Sequence, residues 1–167
     1  MAELRSAALD EVPAPDFADV QVVAIPAGRR SLPADPAVWA RAVFDVRSAP
    51  WPVVALLAVR QAVVGLVGIP RADRDVFAVA EVRAGEALIR ADDVHLDFRV
   101  GVSVDLDARL LRVVTAVRLH GWRGRVYFVP VSLAHGPITR AMARRAARRI
   151  ARGRPALLRL VARRRDG

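Results

Sequence analysis

The chain contains no cysteine and no lysine, and its aromatic residues are few: three Trp, one Tyr and five Phe in 167 positions. Without cysteine there is no disulfide, thiolate nucleophile, iron–sulfur cluster or Cys-ligated zinc, so cysteine usage leaves the redox compartment open. Without lysine there is no Schiff-base amine for pyridoxal phosphate and no P-loop cation. No aromatic residue follows Arg140, so the basic end of the chain lacks the stacking platforms that single-stranded nucleic acid needs. Neither G-x-G-x-x-G nor G-x-S-x-G occurs, which removes support for a dinucleotide-binding module or an α/β-hydrolase nucleophile. The first twelve residues hold Glu3, Asp10 and Glu11 and lack the apolar run of a signal peptide, so a cytoplasmic location is expected.

What is present is apolar and basic. Hydrophobic residues make up 54% of the chain, above the roughly 45–50% of ordinary globular proteins, so a substantial core is expected. The length suits one domain. Pro- and Ala-rich residues 1–16 read as a flexible leader, 17–152 as a single α+β domain, and 153–167 as a basic tail. The net charge is +10. Residues 1–136 carry 16 Arg against 16 acidic residues, whereas residues 137–167 carry 11 Arg and only Asp166, so the whole excess belongs to the C-terminal stretch.

Within that stretch Ile138, Met142, Ala146 and Ile150 recur every four residues while Arg140, Arg144, Arg148 and Arg152 fill another side. The spacing predicts an amphipathic helix over 138–152, stopped by Gly153 and Pro155. Earlier in the chain, residues 19–25 read as a strand, and Asp35 before Pro36 fits the N-cap and first turn of a short helix. Residues 53–67 are apolar nearly all round and read as a second, buried helix, because Arg60 at the middle disfavours a membrane span.

Residues 76–82, 87–91, 94–104, 110–120 and a short run at 125–129 read as strands, with turns at Gly85, Asp92–Asp93, 105–107 and 121–124. In the third of these the even positions Val94, Leu96, Phe98, Val100, Val102 and Val104 are apolar; in the fourth the odd positions Leu111, Val113, Thr115, Val117 and Leu119 share one side. Keeping one buried face then requires paired positions to sum to an odd number. A sum of 215 sets Asp97 opposite Arg118 and His95 opposite His120; 213 is the competitor.

Candidate site residues are polar groups in apolar company: Arg60 and Gln61 on the second helix, Thr115 on the apolar strand face, Tyr127, and His135 at the entrance to the C-terminal helix. A cavity needs a few such groups to orient a ligand. Each also has an ordinary role, since Arg snorkels, Thr favours strands and Tyr needs only one partner. Glu81, Asp97 and His135 are the acid–base candidates for an enzyme. His95, Asp97 and His120 share a strand face in the preferred register, where a solvated ion pair competes with a metal site; no metal and no cofactor are expected.

Asp92-Asp93-Val94-His95-Leu96-Asp97-Phe98-Arg99, then Gly124-Arg125-Val126-Tyr127-Phe128, then His135 before an Arg-rich helix together resemble the bacterial domain-of-unknown-function family 2867, over about residues 19–152. That family looks like a relative of the helix-grip, polyketide-cyclase-like proteins. The resemblance implies a curved antiparallel sheet wrapped around a long C-terminal helix, two short helices after the first strand, and a cavity between sheet and helix. The expected function, ranked first, is non-catalytic binding of a small hydrophobic or amphipathic molecule in that cavity. A cyclase- or hydrolase-like enzyme using the same cavity comes next. An interaction module whose Arg-rich tail touches anionic surfaces comes third, and sequence-specific nucleic acid binding is not expected.

Overall fold

Four strands come from the alternating stretch between residues 79 and 119, and the first apolar run supplies a fifth. The computed structural model describes residues 5–28, 31–45, 78–92 and 94–153. Within them the order is α1 (Ala7–Glu11), β1 (Phe17–Ala24), α2 (Pro36–Val43), β2 (Val79–Arg83), β3 (Glu86–Asp92), β4 (Leu96–Asp105), β5 (Leu110–Leu119) and α3 (Gly121–Ala151). The sheet runs β1-β5-β4-β3-β2 with every neighbour antiparallel. The architecture is α+β, a curved open sheet with a long C-terminal helix, as the sequence indicates.

The β4–β5 ladder pairs Leu96 with Leu119, Asp97 with Arg118 and Val102 with Val113, the 215 register, which parity allows and which sets Asp97 against Arg118. It places Val100, Val102, Leu111, Val113 and Thr115 in the interior on the α3 side, all 1% exposed or less. The His120 amide extends the ladder by donating to the His95 carbonyl at 2.7 Å. Val94 departs from the expected inward row: it precedes β4 and is 79% exposed.

Two helices cover this inner face. Asp35 caps α2 by accepting from the Ala37 amide at 2.8 Å, with Pro36 in the first turn. Trp39 of α2 is fully buried, and its indole N–H donates to the Pro33 carbonyl at 2.8 Å. From α3 the buried residues Ala143, Ala146, Ala147 and Ala151 join the same core. Their short side chains let the helix backbone approach closely.

Residues 125–129, expected as a strand, lie instead in α3, which begins at Gly121 rather than at 138. A strand would set Val126 and Phe128 on one side, yet Val126 is 64% exposed while Phe128 is buried. In the helix Gly124 and Phe128 stand one turn apart facing inward. A Cβ at Gly124 would fall on the His95 carbonyl oxygen, and the Phe128 ring meets Phe17 edge-on at 5.1 Å. Those tertiary contacts override the strand propensity of Val-Tyr-Phe-Val. Pro130 and Pro137, which argue against a helix interior, are both exposed, so each lost N–H bond lies where water reaches the freed carbonyl.

The stretch read as a leader carries α1, which packs on the opposite face of the sheet, burying Ala7 and Ala8 against Leu88 and Val114. The anchor is the buried Glu86 carboxylate. Ser6 Oγ donates to both of its oxygens at 3.0 Å and the Ala7 amide donates to one at 2.6 Å. Diagonally across the ladder Gly101, the partner of Leu88 on β4, leaves the space this carboxylate occupies, since a Cβ there would overlap it. Beside α1, Glu11 accepts from Arg90 and Arg99, which also pair with Glu81 and Asp92. The face bearing Asp97, Arg99 and Gly101 is therefore not plain solvent surface; α1 and this network cover its middle. The expected second helix at 53–67 and the tail beyond Gly153 lie outside the described residues. Among those described, no helix is long and apolar enough to cross a membrane.

Candidate functional site

Strand β1 alternates in register with the inner row of β5, pairing Phe17 with Val117, Asp19 with Thr115, Gln21 with Val113 and Val23 with Leu111. Two polar side chains are thereby turned toward α3. The helix answers with His135 and Thr139, one turn apart. His135 Nε2 lies 3.1 Å from Thr115 Oγ1, 3.3 Å from Thr139 Oγ1 and 3.8 Å from Asp19 Oδ2. Gln21 Nε2 donates to both Asp19 oxygens at 2.9 and 3.1 Å. The Phe17 ring stands edge-on to the imidazole at 5.4 Å, closing the apolar side of the cluster.

Burial pushes the His135 pKa below its ordinary 6.5, with the Asp19 charge partly opposing the shift. The imidazole is therefore neutral at pH 7, hydrogen-bonded to threonine. A nucleophile–base–carboxylate relay needs the hydroxyl on one ring nitrogen and the carboxylate on the other. Here both hydroxyls and the carboxylate converge on Nε2, so the ring cannot pass a proton between them. The cluster acts as a satisfied polar plug, and no buried side-chain N or O among the described residues lacks a partner.

Outside the plug, an open groove of about 470 Å³ follows the seam between β1 and α3, lined by Gln21, Gly136, Pro137, Arg140, Ala141 and Arg144. Gly136 keeps its mouth clear: a Cβ there would already touch Gln21 Nε2 at 3.4 Å and Asp19 Oδ2 at 3.9 Å. Gln21 forms the polar floor, Pro137 and Ala141 an apolar wall, and the exposed Arg140 and Arg144, one turn apart, a cationic rim.

Of the residues singled out from sequence, Thr115 and His135 are brought together at the plug. Arg60 and Gln61 lie outside the described residues, and Tyr127 belongs to α3 with its side chain likewise outside them. His120 Nε2 meets Asp97 Oδ1 at 3.0 Å on a partly exposed rim, and among the described residues no three His, Asp or Glu side chains converge to hold a metal. Glu81 is engaged by Arg90 at 2.6 Å. Sequence reading missed Asp19, Gln21, Thr139, Arg140 and Arg144 as site residues. A signal was available in β1, where Asp19 and Gln21 alternate with Phe17 and Val23 on the inward parity.

These features define a class: an α+β domain whose open sheet holds a long C-terminal helix across a polar seam. The chain belongs to the family described as protein of unknown function (DUF2867), whose model matches residues 12–142. That span includes the five described strands, the His135 plug and Arg140, and ends before Arg144. No curated protein and no solved structure matches the chain.

Proposed function

We propose that the domain binds, without chemical change, a small amphipathic molecule carrying an acidic group in the groove between β1 and α3. The observation that carries this reading is the pair Arg140 and Arg144 set one turn apart beside the apolar wall of Pro137 and Ala141, over Gln21. Guanidinium groups pair with carboxylate or phosphate through parallel N–H donors, and the wall accepts an apolar body. At about 470 Å³ the groove exceeds the roughly 300 Å³ lower end of small-molecule sites.

The Ala-rich half of α3 is packed directly into the core, which favours this seam over an enclosed cavity beneath the helix. The suggested kinship with helix-grip proteins points to the same interface between sheet and helix. Binding without chemistry is supported by His135, where both threonine hydroxyls and the Asp19 carboxylate converge on the one nitrogen Nε2. No cofactor enters the reading.

Native mass spectrometry of freshly purified protein tests it, together with titration of a medium-chain fatty acid followed by amide NMR. The expected result is a co-purified acid, or saturable shifts at Gln21, Gly136 and Ala141, that return unchanged mass after denaturing release. An Arg140→Ala/Arg144→Ala variant loses the binding while keeping its circular dichroism spectrum. Absence of both a bound molecule and local shifts refutes the proposal, and a released molecule altered in mass revives the enzyme reading.

A further inference from the structure

Helix α3 carries an exposed row that extends well beyond the groove, sharing Pro137, Arg140 and Arg144 with its lining. Trp122, Val126, Val129 and Leu133 recur at steps of four, three and four residues, and they are 70, 64, 61 and 79% exposed. The same steps continue through the exposed Pro137, Arg140, Arg144 and Arg148. One side of a 31-residue helix, about 45 Å long, is thus an apolar ridge over its first half and a cationic ridge over its second. Large apolar side chains scattered singly on a surface need no explanation, but a row of them in helical register does.

Charge identifies what the ridge suits. Residues 1–136 are neutral, and the entire +10 begins at the point where the ridge turns basic. A parallel second copy would set Arg140, Arg144 and Arg148 against themselves. An antiparallel copy would cover the apolar half and leave the arginines unneutralised. An anionic bilayer surface takes both halves at once: the acyl boundary receives Val126, Val129 and Leu133, and the headgroups receive the guanidinium groups. Pro130 and Pro137 fit this depth, because they leave the Val126 and Leu133 carbonyls without their usual helical donor, a loss that hydrated headgroups satisfy and hydrocarbon does not.

We infer that the exposed ridge of α3 is an interfacial docking surface for an anionic lipid bilayer, on which the helix lies flat. The ridge shares Arg140 and Arg144 with the groove, whereas Val126, Leu133, Arg148 and Arg152, which carry the test, lie outside the groove's lining. The sequence has no cysteine, which permits a direct test, since Leu133→Cys supplies a single thiol in the 167-residue chain for a polarity-sensitive fluorophore. Vesicles of equal parts phosphatidylglycerol and phosphatidylcholine are expected to shift the emission to the blue, reversibly with added salt, and vesicles of phosphatidylcholine alone to leave it unchanged. Adding Val126→Ser, or Arg148→Glu with Arg152→Glu, is expected to weaken vesicle affinity about tenfold or more.

No shift with either vesicle overturns the inference, including the case where the protein sediments with lipid through its tail alone. An equal shift with both removes the anionic requirement. A blue emission before lipid that fades on dilution identifies a second copy as the occupant, and a thiol that resists labelling in the folded protein shows that the chain itself covers the ridge. Either result overturns it. If a charge or serine variant loses its fold, the singly labelled protein still decides the question through its vesicle response.

Discussion

Replacing Glu86 tests the unusual way in which α1 is attached. Glu86 is 3% exposed, and three donated hydrogen bonds from Ser6 and Ala7 end on its carboxylate. Glu86→Ala strands the Ser6 hydroxyl and the Ala7 amide, at about 1–3 kcal/mol for each buried donor left unsatisfied. Part of that is recovered as α1 loosens and water enters, so a loss of roughly 2–4 kcal/mol is expected. Gly101→Ala attacks the same place from the other strand. Its Cβ would overlap the carboxylate, an overpacking error of about 1–3 kcal/mol. The two changes should not add. In the double variant the new Cβ occupies space the carboxylate has vacated, so the pair is expected to be no less stable than Glu86→Ala alone, a coupling of roughly 1–3 kcal/mol. Urea unfolding of the four proteins measures the coupling, and hydrogen exchange of the Ala7 to Asp10 amides reports whether α1 has come loose. Additive losses, or α1 protection unchanged in Glu86→Ala, would show that the carboxylate does not hold the helix down.

Acid should act on the domain in two separable windows. Hydrogen bonds from Arg90 and then Arg99 outweigh burial and hold the Glu11 carboxyl at about 2 instead of 4.5. Its stabilisation is therefore complete above pH 4.5 and lost as pH falls toward 2; Glu11→Gln should flatten that limb in a series of thermal melts. His135 is depressed by burial, so the unfolded chain takes up a proton below pH 6.5 before the folded one does. Stability should fall as pH drops from 6.5, and His135→Gln should remove that slope, whereas an unchanged slope assigns it to another group. The β2–β3 turn places Ala84 at φ 51°, next to Gly85 at φ 76°; because Asn tolerates this conformation better than Ala, Ala84→Asn should stabilise by about 0.5–1 kcal/mol in urea unfolding.

The parts of the fold legible in the sequence were those governed by a local period or a local bond. Parity of the apolar positions in β4 and β5 restricted the pairing to odd sums, because a slip by one residue would turn Val100 and Val102 outward, and the opposite charges of Asp97 and Arg118 pointed to 215 over 213. Asp35 before Pro36 marked the start of α2, since the cap bond closes within two residues. What could not be read depended on distant partners. The first half of α3 carries strand-forming residues and helix breakers, and it is helical because Gly124 and Phe128 fit against His95 and Phe17. Helix α1 owes its place to a carboxylate 80 positions along the chain. At the plug, Thr115 and His135 stood out as polar residues near apolar ones, but Asp19 joins them only because β1 pairs with the far strand.

That pairing also sets a timetable for synthesis. Phe17 of β1 lies opposite Val117 of β5, so the strand that emerges first waits for the one that emerges last. At about 5–20 residues per second, the intervening stretch takes roughly 5–20 s to appear. Throughout that interval the apolar Val20, Val22 and Val23 are without the β5 partner they have in the finished sheet. Asp19 and Gln21, which serve the finished domain as part of a polar seam, interrupt the apolar run during the wait and act as gatekeepers against premature pairing with another nascent chain.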